Sequence, residues 1–183
     1  MILIVAGVSG CGKTTVGAMV AGRLHWRFAD GDDFHPAANI EKMRAGIPLT
    51  DEDRWPWLRA IAAWMDDLIA QDESAVLPCS ALKRSYRDIL LDDRPEARMA
   101  FLAVDRDVLA RRLAARHGHF FPAQLLDSQF AALEPPQPDE RAVIVVEHAA
   151  DQPADTAAAI IRQLWPGDSA GSGATSGEHE AET

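Results

Sequence analysis

At 183 residues the chain has the length of one domain with room for a sizeable core, and its 48% hydrophobic and 25% charged residues are those of a globular protein. The net charge of −10 argues against a general nucleic-acid binder, which carries a basic face, and the longest apolar runs are strand-sized, too short to cross a membrane. Cys11 and Cys79 are too few for a disulfide framework and suit a cytoplasmic chain with free thiols, and residue 1 leads straight into a strand without a basic leader or cleavage site.

Residues 1–6 are apolar and predict a buried strand. Gly7-Val8-Ser9-Gly10-Cys11-Gly12-Lys13-Thr14 follows directly and fits the phosphate-binding pattern of Gly, four residues, then Gly-Lys-Ser/Thr. Its glycines let the backbone turn tightly and aim successive N–H groups at an anion. Lys13 supplies a charge for the outer phosphates, and the Thr14 hydroxyl can ligate Mg²⁺. A helix starting near Lys13 adds the positive end of its dipole at the same place. The plain alternative, a glycine-rich turn that binds nothing, does not require the complete pattern between a strand and a helix.

Residues 13–24 predict that helix, with Val16, Met19, Val20 and Leu24 on one face and Gly17 and Gly22 allowing close packing on a sheet. Residues 27–30 predict a short second strand that delivers Asp30-Gly31-Asp32-Asp33-Phe34-His35 at its carboxyl end. Pro36 suits the first turn of a helix running through Ile40 and Met43 to a stop at Gly46. Thr50-Asp51-Glu52-Asp53 is an acidic helix start, and Trp57, Leu58, Ile61, Trp64, Met65, Leu68 and Ile69 then recur at helical spacing as core.

Residues 75–79 predict a third strand, followed by Ser80-Ala81-Leu82-Lys83 and a helix to about residue 92. Residues 98–104 predict a fourth strand, with Asp105 capping a helix over 107–115. The polar, glycine-containing segment 116–122 precedes another helix to about residue 133. After a proline-rich stretch, 142–147 predict a fifth strand and 153–164 a last helix. Strands alternating with helices imply an α/β fold with a parallel sheet, whose ligands lie at the carboxyl ends of the strands. Residues 1–165 form one domain in this reading, and the Gly/Ser/Ala/Glu-rich residues 166–183 a disordered acidic tail.

The loop alone does not separate a GTPase, a motor ATPase and a small-molecule kinase. No Asn-Lys-x-Asp guanine-reading motif is present, and Pro78-Cys79-Ser80 stands where a strand would end in a metal-holding Asp. A compact phosphotransferase remains, which needs an acceptor pocket and a cover over the phosphates. Asp30 and Asp32 are candidates for ordering the Mg²⁺ shell and accepting a proton from an attacking hydroxyl, or are simply turn residues bonding their own backbone. His35 is a candidate contact or only a helix-start residue. Arg54 can grip a carboxylate with its planar fork or form a surface ion pair. Segment 116–122 is the candidate cover, with an Arg to meet the charge on a transferring phosphoryl group.

The string of motifs, comprising the loop 7–14, Asp30-Gly31-Asp32-Asp33-Phe34-His35-Pro36, Asn39-Ile40-Glu41-Lys42-Met43, residues 46–54, Cys79-Ser80-Ala81-Leu82-Lys83, Tyr86-Arg87-Asp88 and Gly118-His119-Phe120-Phe121, closely resembles the bacterial gluconokinases of the shikimate-kinase-like P-loop group, in unbroken order over residues 3–164. The resemblance implies ATP-dependent phosphorylation of the 6-hydroxyl of D-gluconate with Mg²⁺, and a homodimer. It implies a P-loop NTPase three-layer sandwich, with a five-stranded parallel sheet of order 2-3-1-4-5 and a mobile lid at about 116–133. By the same resemblance Gly7, Val8, Ser9, Gly10, Cys11, Gly12, Lys13, Thr14 and Thr15 hold the nucleotide, with Arg112, Arg116, Gln152 and Pro153. Thr14 and Asp30 lie at the metal, and Lys13, Asp32 and the lid's Arg116 act in catalysis. Asp32, His35, Arg54, Lys83 and His119 meet the substrate. Cys11 stands where Ser is common, and Asp33-Phe34 replaces a Phe-Leu type pair, which leaves open which acid faces the substrate. The rival readings are a kinase for another small hydroxy acid such as shikimate, and a non-catalytic nucleotide-binding switch.

Overall fold

The computed structural model describes residues 1–115, 123–147 and 152–165, the side chains of 112–115 and 123–125 excepted. Five strands, β1 (Ile2–Ala6), β2 (Arg27–Phe28), β3 (Ala75–Pro78), β4 (Ala97–Ala103) and β5 (Val143–Glu147), form a parallel sheet in the order β2-β3-β1-β4-β5. β1 lies between β3 and β4, with Ile2 opposite both Ala75 and Ala97. Every β1 residue is buried, as expected for a parallel strand covered on both faces.

Alternation along β1 divides the core in two. Ile2 and Ile4 face the side covered by α3 (Asp51–Ala70) and α4 (Arg84–Leu91), together with Trp57, Ile61, Met65, Tyr86 and Leu90. Leu3 and Val5 face the other side, where α1 (Lys13–Leu24) and α7 (Pro153–Leu164) contribute Val16, Val20, Ala157 and Ile160. Each fully buried Leu or Ile contributes about 1.5–3 kcal/mol, so this alternation settles which helices belong to which face. The remaining helices are α2 (Ala37–Arg44), α5 (Arg106–Ala115) and α6 (Ala123–Ala132).

The predicted parallel sheet and its strand order hold, with local corrections. Of the predicted α1 face, Val16 and Val20 are buried and Leu24 packs on the core, whereas Met19 is exposed and Gly17 and Ala21 are buried in addition. A Cβ on Gly17 would touch Pro78, Phe28 and Val76, so the helix packs closely there, whereas one on Gly22 would meet nothing within 4 Å. Pro36 is the N-cap of α2 and lies just outside it. The second strand is shorter than expected, because residues 31–34 coil into a 3₁₀ turn, Gly31–Phe34, capped by Asp30 accepting the Asp32 N–H. Segment 116–122 and the acidic tail lie outside the described residues.

Candidate functional site

The phosphate loop runs from the carboxyl end of β1 into α1. Gly7 has φ +139°, and a Cβ there would lie 3.0 Å from the Leu102 carbonyl and 3.1 Å from Cys11 Sγ, so only glycine fits. No side chain caps α1 at Gly12. Its first N–H groups therefore remain open to an anion, reinforced by the helix dipole. Lys13 Nζ lies back over the loop, 3.1 Å from the Val8 carbonyl, and Thr14 and Thr15 are exposed on the first helical turn.

The candidate acceptor side is built on the first turns of α3. Thr50 and Asp53 form a capping box that fixes its start. Asp51, Arg54 and Trp57 follow at three-residue spacing, which stacks them on one side of the helix. Buried Trp57 donates its indole N–H to the Gly31 carbonyl at 2.7 Å. Gly31 in turn sits so close to β3 that a Cβ would lie 2.4 Å from the Pro78 carbonyl. The 3₁₀ turn is thereby pressed onto the sheet's carboxyl edge, which carries Asp30 and Asp32 to the phosphate side. Lys13, Asp30 and Asp32 all act electrostatically on Cys79 at the end of β3. Burial pushes that thiol up to about 12, so Cys79 is packing and not a nucleophile.

His35 stacks on Trp57, with ring centroids 4.3 Å apart and planes 11° from parallel. Buried Asn39 orients it. The Asn39 amide nitrogen donates to the Asp53 carbonyl at 2.8 Å and lies 3.3 Å from His35 Nδ1. A nitrogen fixed as a donor by that carbonyl requires Nδ1 to accept, which leaves the imidazole proton on Nε2. Burial lowers the His35 pKa, Asp32 partly opposes this and Arg54 adds to it. A neutral Nε2–H donor within the electrostatic reach of Asp32 and Arg54 results.

Arg54 uses one guanidinium nitrogen on the Leu49 carbonyl (2.7 Å), with the Tyr86 hydroxyl at 3.5 Å and Asp51 at 3.8 Å. Its other two nitrogens have no hydrogen-bond partner among the described residues, so part of the fork is free for a carboxylate. Lys83 belongs to this wall too. Its ammonium bonds both Asp51 oxygens at 2.7 and 2.8 Å, and Tyr86 donates its hydroxyl to the same carboxylate. Lys83, followed by Tyr86, accordingly holds Asp51 below the usual carboxylate range.

Of the predicted residues, the structure brings together the loop 7–14, Asp30, Asp32, His35, Arg54 and Lys83. Gln152 and Pro153 begin α7 at the other side of the sheet's carboxyl edge, with Pro153 in the first turn. Arg116, His119 and the side chain of Arg112 lie outside the described residues. Sequence reasoning missed Asp51, Asn39, Trp57 and Tyr86 as site residues. Asp51 read as a helix-start acid, and its partner Lys83 is remote in sequence; Tyr86 stood in a recognised motif without a role.

Among the described residues no cluster of three His, Cys, Asp or Glu forms a metal cage. Mg²⁺ needs none, since one or two protein oxygens, phosphates and water complete its shell. The exposed Thr14 hydroxyl and the Asp30 carboxylate, whose Oδ1 is engaged by the Asp32 N–H, are hard oxygen donors that fit it.

Comparison with known proteins gives the chain's family and fold relatives. The shikimate kinase family model matches residues 9–165. A gluconokinase of Gluconobacter oxydans is 50% identical over 143 residues, covering 78% of this chain and 80% of the relative. The thermosensitive gluconokinase of Escherichia coli is 46% identical, covering 79% and 77%. Among solved structures, a gluconokinase from Sinorhizobium meliloti superposes with a TM-score of 0.73 at 40% identity, over 89% of this chain and 94% of that one. An unliganded sugar kinase from Janibacter sp. reaches 0.80 at 44% identity, over 89% and 93%. Family model, curated relatives and solved structure match this chain over most of its length, and the chain belongs to the gluconokinase family of shikimate-kinase-like P-loop kinases.

Proposed function

We propose that the protein transfers the γ-phosphoryl group of ATP to the 6-hydroxyl of D-gluconate, giving 6-phospho-D-gluconate and ADP. The observation that carries this reading is the convergence of Asp32, His35 and Arg54 on the edge that also holds the uncapped phosphate loop. Arg54 takes the substrate carboxylate on its free nitrogens, and the His35 Nε2–H binds a hydroxyl. Lys83, held on Asp51, completes the polar wall. Asp32, exposed and without a side-chain partner among the described residues, accepts the proton of the attacking hydroxyl. The new O–P bond forms as the bond from the γ-phosphorus to the bridging oxygen breaks, and that oxygen leaves with ADP. Lys13 and the α1 N-terminus oppose the charge on the transferring group. Mg²⁺, held by Thr14 and Asp30, supplies further charge neutralisation when bound. On the same reading Arg116 caps the phosphates from a lid at about 116–133, and Arg112, Gln152 and Pro153 form the nucleoside side. His119 reaches the acceptor, and the chain works as a homodimer in the cytoplasm. No described helix is long and apolar enough to cross a membrane.

A coupled ADP-release assay across gluconate, shikimate and related sugar acids tests the reading. Turnover with gluconate well above the others is expected. Turnover only with a different acid would refute the acceptor assignment, and nucleotide binding without any phosphorylated product would refute the kinase.

A further inference from the structure

α6, which falls in the carboxyl-terminal half of the proposed lid, meets the phosphate loop through a polar contact that has been given no role above. Gln129 Oε1 accepts from both the backbone N–H of Ser9 (3.4 Å) and its hydroxyl (3.3 Å). Ser9 lies between Gly7 and Gly10, whose positive φ values fold the loop so that its N–H groups converge. The helix carrying Gln129 is well seated. Leu126 is buried, Phe130 and Leu133 pack on the α1 side of the core, and Asp127 pairs with Arg106 of α5. Just beyond α6, Glu134 is bound into the acceptor loop. Its N–H donates to the Leu82 carbonyl at 3.0 Å, and its carboxylate accepts the Arg84 N–H at 2.7 Å. Gln129 therefore stands where one helix bridges the donor loop and the loop that carries Lys83.

A glutamine amide offers one acceptor oxygen and two donor hydrogens. Here the oxygen is turned to the loop. The Nε2 group has no hydrogen-bond partner among the described residues, and it is fixed in direction by the oxygen's bonds to Ser9. A neutral, pre-oriented donor beside a loop of converging N–H groups is complementary to one more anionic oxygen. Ser9 is the third residue of the loop, away from the α1 N-terminus at Gly12, and its N–H is taken by Gln129 Oε1, so it is the adjacent Nε2–H that faces the outer end of the phosphate chain.

We propose that Gln129 is a nucleotide-contacting residue, anchored through Oε1 on Ser9 and donating Nε2–H to the terminal phosphate. The proposal rests on nucleotide binding by the loop and does not depend on which acid is the acceptor. Two variants of the full chain separate it from a purely structural tie. Gln129→Glu keeps an acceptor oxygen for Ser9 but replaces the donor with a negative charge. Gln129→Ala removes both groups. Affinities for Mg-ATP and Mg-ADP are measured by calorimetry without an acceptor, alongside thermal melts of the nucleotide-free protein. A carboxylate facing the terminal phosphate weakens ATP about tenfold or more while ADP changes less than about threefold, and Gln129→Ala weakens ATP by a smaller factor. The melt of Gln129→Glu stays close to that of the parent. Equal loss of ATP and ADP, or no loss of either, would overturn the proposal in favour of a tie that only shapes the loop. An ATP-selective loss in a protein that does not turn over gluconate would leave this assignment standing and refute the acceptor instead.

Discussion

Replacing Arg87 by alanine strands a carboxylate inside the protein. The side chains of Arg87 and Glu140 are 1% and 5% exposed, and their bidentate pair has bonds of 2.6 and 2.9 Å. The same guanidinium donates to the Leu82 carbonyl at 3.1 Å and the Glu134 carbonyl at 3.0 Å, so one side chain ties the acceptor loop to the segment after α6. Removing one partner of a buried pair costs about 3–5 kcal/mol, because the other charge stays desolvated. At about 2–4 °C per kcal/mol for a chain of this size, Tm should fall by about 6–20 °C. The double variant Arg87→Met with Glu140→Leu should recover most of that loss, since an apolar pair leaves no stranded charge. Arg87 also holds the Glu140 carboxyl below its ordinary range. Its stabilisation is therefore present above the ordinary glutamate pKa and is lost as pH falls through the folded value, so the gap between parent and Arg87→Ala should narrow in acid. Circular-dichroism melts at neutral pH and about pH 4 check both points. A drop below about 2 °C at neutral pH, or a double variant no better than the single one, would refute the reasoning.

Asp32→Asn removes the proposed proton acceptor and should lower kcat about 10²–10⁴-fold while ATP affinity stays within about threefold, read by ADP release and nucleotide titration. Arg54→Lys loses the planar fork and should raise the gluconate KM about 10-fold or more with the ATP KM unchanged, since a charged hydrogen bond contributes about 1.5–3 kcal/mol. Gly31→Ala forces a Cβ against the Pro78 carbonyl and should cost about 1–3 kcal/mol in urea unfolding, with turnover falling as the Asp30–Asp32 turn is displaced. Because burial depresses the His35 pKa, its neutral form contributes stability above the unfolded histidine pKa of 6.5 that is lost as pH falls through the folded value. His35→Asn should flatten the stability profile in that window, and an unchanged profile would contradict the burial argument.

Much of the donor half was legible along the chain because its chemistry is local. Strand, glycine-rich turn, Lys13 and the α1 N-terminus are contiguous, so pattern and spacing were enough to mark a candidate phosphate site. Alternating strands and helices likewise determined the parallel sheet and its useful edge. The exposed Met19 marks the limit of that reading, since a helical stripe alone does not say how far it turns toward the sheet. The acceptor half was legible only as residue types. Asp51 looked like a dipole-compensating acid at the start of α3, and tertiary packing made it the carboxylate that holds Lys83 and Tyr86. His35 was a candidate whose tautomer and orientation no spacing could set; Asn39 decides the tautomer and stacking on Trp57 holds the ring. Arg87, quoted as part of a motif, became the buried tie between two segments remote from it in sequence. Local backbone chemistry is written in consecutive residues. Which oxygen faces which nitrogen is decided when distant segments are driven together by burial of the two apolar faces of the sheet.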